Sequence, residues 1–163
     1  MRIPHRRPRL LIAALGASIG LMTVIAPVAA TGPQPVTIDV VNTFAGDPTT
    51  GTFTAVGSAV DSGLICPVGT IVDTRNGFAG GQSGRKLQIL VIKEFTCDDG
   101  SGTFFIKMQV HIDFATGETF TWVVLSGTGA YGHLQGSGDG VTASLPDDIF
   151  GGHNRNTYTG FLN

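Results

Sequence analysis

Lys93-Glu94 sets two charges near the end of an apolar strand-like run. The run from Leu87 to Phe95 is apolar on both faces through Ile89, Leu90, Val91 and Ile92. An alternating strand there must send one of the two charges inward. A carboxylate held at a low-dielectric mouth has a raised pKa and can act as general acid or base, which makes Glu94 a catalytic candidate. The competing reading leaves both charges on a wet rim beside Cys97 and the Asp98-Asp99 turn, since charged strand ends are usually solvated. His133, set among glycines, is the second catalytic candidate. His111 shares a polar face with Lys107 and Asp113 and is expected at the exterior, and His153 falls in a long loop, Ser144–Asn156. No two of these histidines have metal-ligand spacing and no Cys or paired acid adjoins them, so neither metal nor cofactor is expected.

Other chemistries find less support. Gly-x-Ser-x-Gly is absent, and Gly136-Ser137-Gly138 has the wrong spacing for a nucleophile elbow. Asp98-Asp99 and Asp147-Asp148 lack the alternating acids and closing Glu of a calcium loop. The aromatics are better placed for binding. Phe53, Phe104, Phe120, Trp122 and Tyr131 could line an apolar pocket for a small ligand, or simply fill the interior.

The elements that must position these residues are strands. Apolar residues alternate along the chain, and Gly, Asp, Asn and Pro recur at turn-like intervals. Eight strands are predicted: Val36–Phe44, Gly51–Val60, Gly69–Thr74, Lys86–Phe95, Gly102–Ala115, Thr119–Leu125, Gly138–Leu145 and Thr157–Leu162. In the fifth, Phe104, Ile106, Met108, Val110, Ile112 and Phe114 share one face, opposite Phe105, Lys107, Gln109, His111 and Asp113. Tight turns are expected at Asp98-Asp99-Gly100-Ser101 and Thr116-Gly117-Glu118. Leu64–Val68, with Cys66-Pro67, suits only a short or edge strand. Eight antiparallel strands with one apolar face leave two bare edges unless the sheet closes. The predicted fold is therefore all-β, an eight-stranded antiparallel closed barrel, with a β-sandwich as the alternative.

The first thirty residues read as an export signal. Arg2, Arg6, Arg7 and Arg9 form a basic start, Leu10–Ile25 a short apolar run, and Val28-Ala29-Ala30 a cleavage site. Residues 31–163 would then be one secreted domain with no membrane span. That part keeps six basic residues against twelve acidic ones. Such a balance does not favour nucleic acid or anionic lipid as a partner. Two cysteines in an exported chain read as a Cys66–Cys97 disulfide, worth about 3 kcal/mol for a loop of about 30 residues.

Three stretches then stand out together: Gly51-Thr-Phe-Thr-Ala-Val-Gly57, Gly102-Thr-Phe-Phe105, and Trp122 followed by Gly127-Thr-Gly-Ala-Tyr131 and Leu134-x-Gly136-x-Gly138. Their order resembles the small barrels of the allene oxide cyclase-like and dirigent-like superfamily. That resemblance implies a barrel interior used as a pocket for a reactive apolar substrate, and Gly127, Gly129, Tyr131 and Gly136 as a corner shaping one barrel end. It also implies self-association as a dimer or trimer. No catalytic residue carries over by motif. Two functions follow as expectations: a secreted barrel that binds a small apolar ligand or serves an extracellular interaction, or a cyclase or isomerase working by pocket shape.

Overall fold

In the computed structural model, residues 32–83, 85–145 and 152–163 are described. The expected leader and the Asp147-Asp148 pair lie outside them. The chain forms a closed barrel of eight antiparallel strands arranged in sequence order. They are β1 (Gln34–Thr43), β2 (Thr50–Val56), β3 (Val68–Ser83), β4 (Lys86–Cys97), β5 (Thr103–Asp113), β6 (Gly117–Gly127), β7 (Gly136–Ser144) and β8 (His153–Leu162). Closure pairs β1 with β8 from Gln34↔Leu162 to Thr43↔His153. The first and last strands are thus not left with bare edges, which is what the alternation demanded.

Three boundaries differ most from the sequence expectation, each for a physical reason. The second strand stops at Val56 rather than Val60, because Gly57 takes φ 114° and turns the chain into a one-turn helix, α1 (Ser58–Asp61). A Cβ at Gly57 would stand 2.7 Å from the Pro35 carbonyl oxygen, so both conformation and space require glycine there. The third strand continues well past Thr74. Beyond Val72, where its pairing with β2 ends, β3 pairs only with β4, through shifts of register at Asp73/Arg75 and Phe78/Gly80. The loop expected over Ser144–Asn156 is shorter, since residues 153–156 already belong to β8.

The two barrel ends are built differently. At one end α1, the segment after it and a single 3-10 turn at Gly129–Tyr131 cover the opening, burying Ala59, Ile65, Cys66, Tyr131 and Leu134. Gly129 has φ 57°, and its Cβ would meet the Ser101 carbonyl oxygen at 2.3 Å. The Cys66–Cys97 disulfide, with Cα atoms 6.0 Å apart, fastens this cap to the end of β4. Replacing both cysteines by alanine is expected to lower stability by about 3 kcal/mol. Urea unfolding checks this, and an unchanged midpoint would mean that packing alone retains the cap.

Aromatic side chains fill the barrel behind the cap. Phe95 stacks on Phe104 with centroids 4.9 Å apart, and Phe53 meets Phe95 edge-on at 5.2 Å. Tyr158, fully buried, is touched edge-on by Phe95, Phe120 and Trp122. Its hydroxyl donates to the Met108 sulfur at 2.9 Å. Burial, reinforced by the negative Asp73, pushes that phenol well above its ordinary range. The rings fit because the facing strands carry no side chains at matching positions. Gly140 lies against the Phe120 ring and Gly160 against the Trp122 indole.

Candidate functional site

The interior turns polar toward the other end. On β1 the inward series Val36, Ile38, Val40 continues to Asn42, which is as buried as the valines before it. On β8 the series Leu162, Gly160, Tyr158 runs back to Asn156 and Asn154. Inward positions of β3, β4, β6 and β7 contribute Asp73, Lys93, Glu118 and Thr142. Strand pairing sets these residues directly opposite one another: Asp73↔Lys93, Glu118↔Thr142, Thr142↔Asn156 and Asn42↔Asn154.

A hydrogen-bonded chain joins them. Lys93 Nζ donates to Asp73 Oδ1 at 2.5 Å and to Asn42 Oδ1 at 2.9 Å. Asn42 Nδ2 donates to Asn154 Oδ1 at 2.7 Å and to Asn156 Oδ1. Asn156 Nδ2 donates to Thr142 Oγ1 at 2.7 Å, and Thr142 Oγ1 donates to Glu118 Oε1 at 2.6 Å. Every bond on the path from Lys93 to Glu118 runs in the same sense, from the cation toward the anion. Aligned donors of this kind polarise one another. Among the described residues, no buried side-chain nitrogen or oxygen lacks a partner.

The Lys93 and Asp73 side chains are 4% and 8% exposed. Burial lowers the Lys93 pKa from its ordinary 10.5, opposed by the negative charges of Asp73 and Glu118. Burial likewise raises the Asp73 carboxyl from 3.8, opposed by Lys93. Both shifts favour the uncharged forms, because desolvation exceeds the mutual attraction. The proton between them is thus more evenly shared than in a surface pair.

Above this cluster the mouth holds a cavity of about 160 Å³. One wall is apolar, from Ile89, Val91, Met108, Val110 and Ile112 of β4 and β5. The other carries the polar chain. Phe44, Phe78 and Phe114 stand exposed near the rim, Phe78 on the inward-facing side of β3 by its pairing with Ile89. A larger depression of about 500 Å³ lies around Lys86, His111, Asp113 and Thr119. Its ion pair, Lys86–Asp113 at 3.6 Å, is exposed on the lysine side, and none of the buried polar side chains reaches it. The buried polar side chains gather at the mouth.

The structure distributes the sequence candidates unevenly. Lys93 is the inward member of the Lys93-Glu94 pair. Glu94 lies on the outer wall opposite Val72 and Phe105. His133 is exposed beside the capped end, so Glu94 and His133 are not brought together and neither lines the mouth. Phe53, Phe104, Phe120, Trp122 and Tyr131 are all buried, packed in the ring network or against glycines below the cavity. Gly127 and Gly136 lie at the capped end, close against Tyr131 and Leu162 respectively. The Tyr131 hydroxyl is 2.6 Å from Ser101 Oγ, which donates to Asp99. Among the described residues no three of His, Cys, Asp and Glu come together as metal ligands. Sequence reasoning does not single out Asn42, Asn154, Asn156, Thr142, Asp73 or Glu118. The signal that could have found them is the inward spacing of Asn42 after Val40, and of Asn154 and Asn156 before Tyr158.

Comparison of the chain with protein-family models, curated proteins and solved structures gave no match in any of the three.

Proposed function

We propose that the protein is an exported barrel whose open end binds a small, largely apolar ligand carrying one polar group. The observation that carries this reading is the division of the interior. Aromatic rings occupy the capped half, and the cavity beyond them has one apolar wall and one wall of buried, hydrogen-bonded polar groups. Such half-and-half lining is the usual composition of a ligand site, with few polar groups fixing orientation. The leader-like first thirty residues and the disulfide support export. The resemblance to allene oxide cyclase-like and dirigent-like barrels supports a ligand held in the barrel interior.

A second reading is a cyclase or isomerase acting on a reactive apolar substrate. It is favoured by the Lys93–Asp73 pair on the cavity floor, a ready proton donor and acceptor. Native mass spectrometry of the protein purified from its secretion medium tests the binding reading. A stoichiometric adduct, released on denaturation and lost in Ile112→Trp, is the expected result. A bare mass in the wild type, with no small amphiphile able to shift the methyl resonances of Ile89 or Val110, would remove it.

A further inference from the structure

We infer that Lys93 is a nucleophilic amine that captures small aldehydes or ketones at the barrel mouth as a covalent imine, an inference that rests on the mouth being the ligand site. The geometry supplies each requirement. The amine is on the floor of a cavity open to solvent, not sealed in the core. Asp73, directly across the β3–β4 pair, is within hydrogen-bond distance and can take and return protons. Asn42 Oδ1 accepts a hydrogen bond from Lys93 Nζ at 2.9 Å and fixes its direction. Ile89, Val91 and Val110 provide an apolar wall for the carbon chain of the carbonyl compound. The cavity corresponds to roughly five water volumes, which limits the ligand to a small carbonyl compound.

The step balances with these two residues alone. A proton passes from the Lys93 ammonium to the Asp73 carboxylate, leaving an amine lone pair. That pair forms a bond to the carbonyl carbon while the carbonyl π electrons move to oxygen, which takes the proton from Asp73. Asp73 then removes a proton from nitrogen and delivers it to the hydroxyl, which leaves as water as the nitrogen lone pair closes the double bond. Ammonium and carbonyl become iminium and water, with no change of net charge. The iminium keeps a cation beside Asp73, so the ion pair of the free protein persists in the adduct. Lysines shielded from water at an apolar wall are the ones suited to this chemistry.

The test uses the whole secreted protein with butanal and cyanoborohydride, followed by peptide mapping. Butanol, which resembles butanal but has no carbonyl, reports binding without covalency through the methyl resonances of Ile89 and Val110. The expected product has the mass of the aldehyde less water plus two hydrogens, at Lys93. Lys93 should be labelled faster than the outer-wall Lys86 and Lys107, because Asp73 takes its proton and the apolar wall holds the aldehyde against it. Asp73→Asn should slow labelling at Lys93 and leave Lys86 unchanged, and Lys93→Arg should remove the selective adduct. Butanol binding with no faster labelling at Lys93 overturns the imine and leaves the ligand site standing. If neither compound perturbs the mouth and Lys93 is not preferentially labelled, both readings fall. Because the wild type is mapped directly, the outcome does not depend on a variant folding.

Discussion

Lys93→Met is expected to destabilise the protein by about 3–5 kcal/mol near neutral pH, because it leaves the Asp73 carboxylate buried without its cation. The double variant Lys93→Met/Asp73→Leu should recover most of that loss, since a buried ion pair replaced by apolar groups of similar size is often neutral. A residual deficit of about 1 kcal/mol is expected from the Asn42 carbonyl, which loses its Lys93 donor in both variants. Chemical denaturation of the four proteins in the cycle measures this. A single variant as stable as the wild type would show that water screens the pair.

The pH dependence has a definite sign. The Asp73 carboxyl is raised from 3.8 in the folded state, so the native protein binds that proton more tightly than the unfolded chain does. Its contribution is full below 3.8 and is lost as pH rises through the folded value. Lys93 is lowered from 10.5, so its contribution is present above 10.5 and is lost as pH falls through its folded value. The stability difference between wild type and Asp73→Asn should therefore shift in favour of the wild type on acidification from neutral pH. A difference independent of pH over that range would contradict the burial argument. For Lys93→Met the deficit should shrink in acid, as Asp73 becomes neutral.

The second large effect concerns the glycines of β7. A Cβ at Gly140 would lie 2.2 Å from two ring carbons of Phe120 and 2.6 Å from the Thr157 carbonyl oxygen. Gly140→Val should cost about 3 kcal/mol or more, at the upper end of overpacking penalties, because the ring is held by Tyr158 and the carbonyl belongs to the neighbouring strand. Gly77→Ala is the matching control: nothing lies within 4 Å of its Cβ position, and its φ is not positive. That change should leave thermal stability within about 0.5 kcal/mol of the wild type. Equal effects at the two positions would mean that contact with the Phe120 ring is not the source of the loss.

How much of the barrel is legible in the sequence depends on whether a strand shows its parity. β5 does: Phe104, Ile106, Met108 and Val110 are the buried series, and only Phe114, placed past the strand end, departs from it by standing exposed. The register of β4 is hidden, because Leu87–Phe95 is apolar on both faces. Only pairing with β5, Lys93↔Ile106, establishes that the lysine points inward. The extension of β3 is invisible for a different reason. Residues 74–80 have no apolar alternation, being paired with β4 alone and interrupted by register shifts. Asparagine in a sequence points first to turns, which are its usual place. Asn154 and Asn156 instead continue the inward face of β8, and their carbonyl oxygens meet Asn42 only after the last strand returns to the first.

That return has a consequence for assembly. The Asn42 contacts with Asn154 and Asn156 span 112 and 114 residues of sequence and lie across the seam where the cylinder shuts. Pairings so distant in sequence carry a large loop-closure cost. Sliding β8 by one residue would turn both asparagines to solvent, point Arg155 and Thr157 into the interior, and strand the Asn42 amide. The seam therefore works as a keyed clasp: an off-register closure gives up the polar contacts that only the correct one can make.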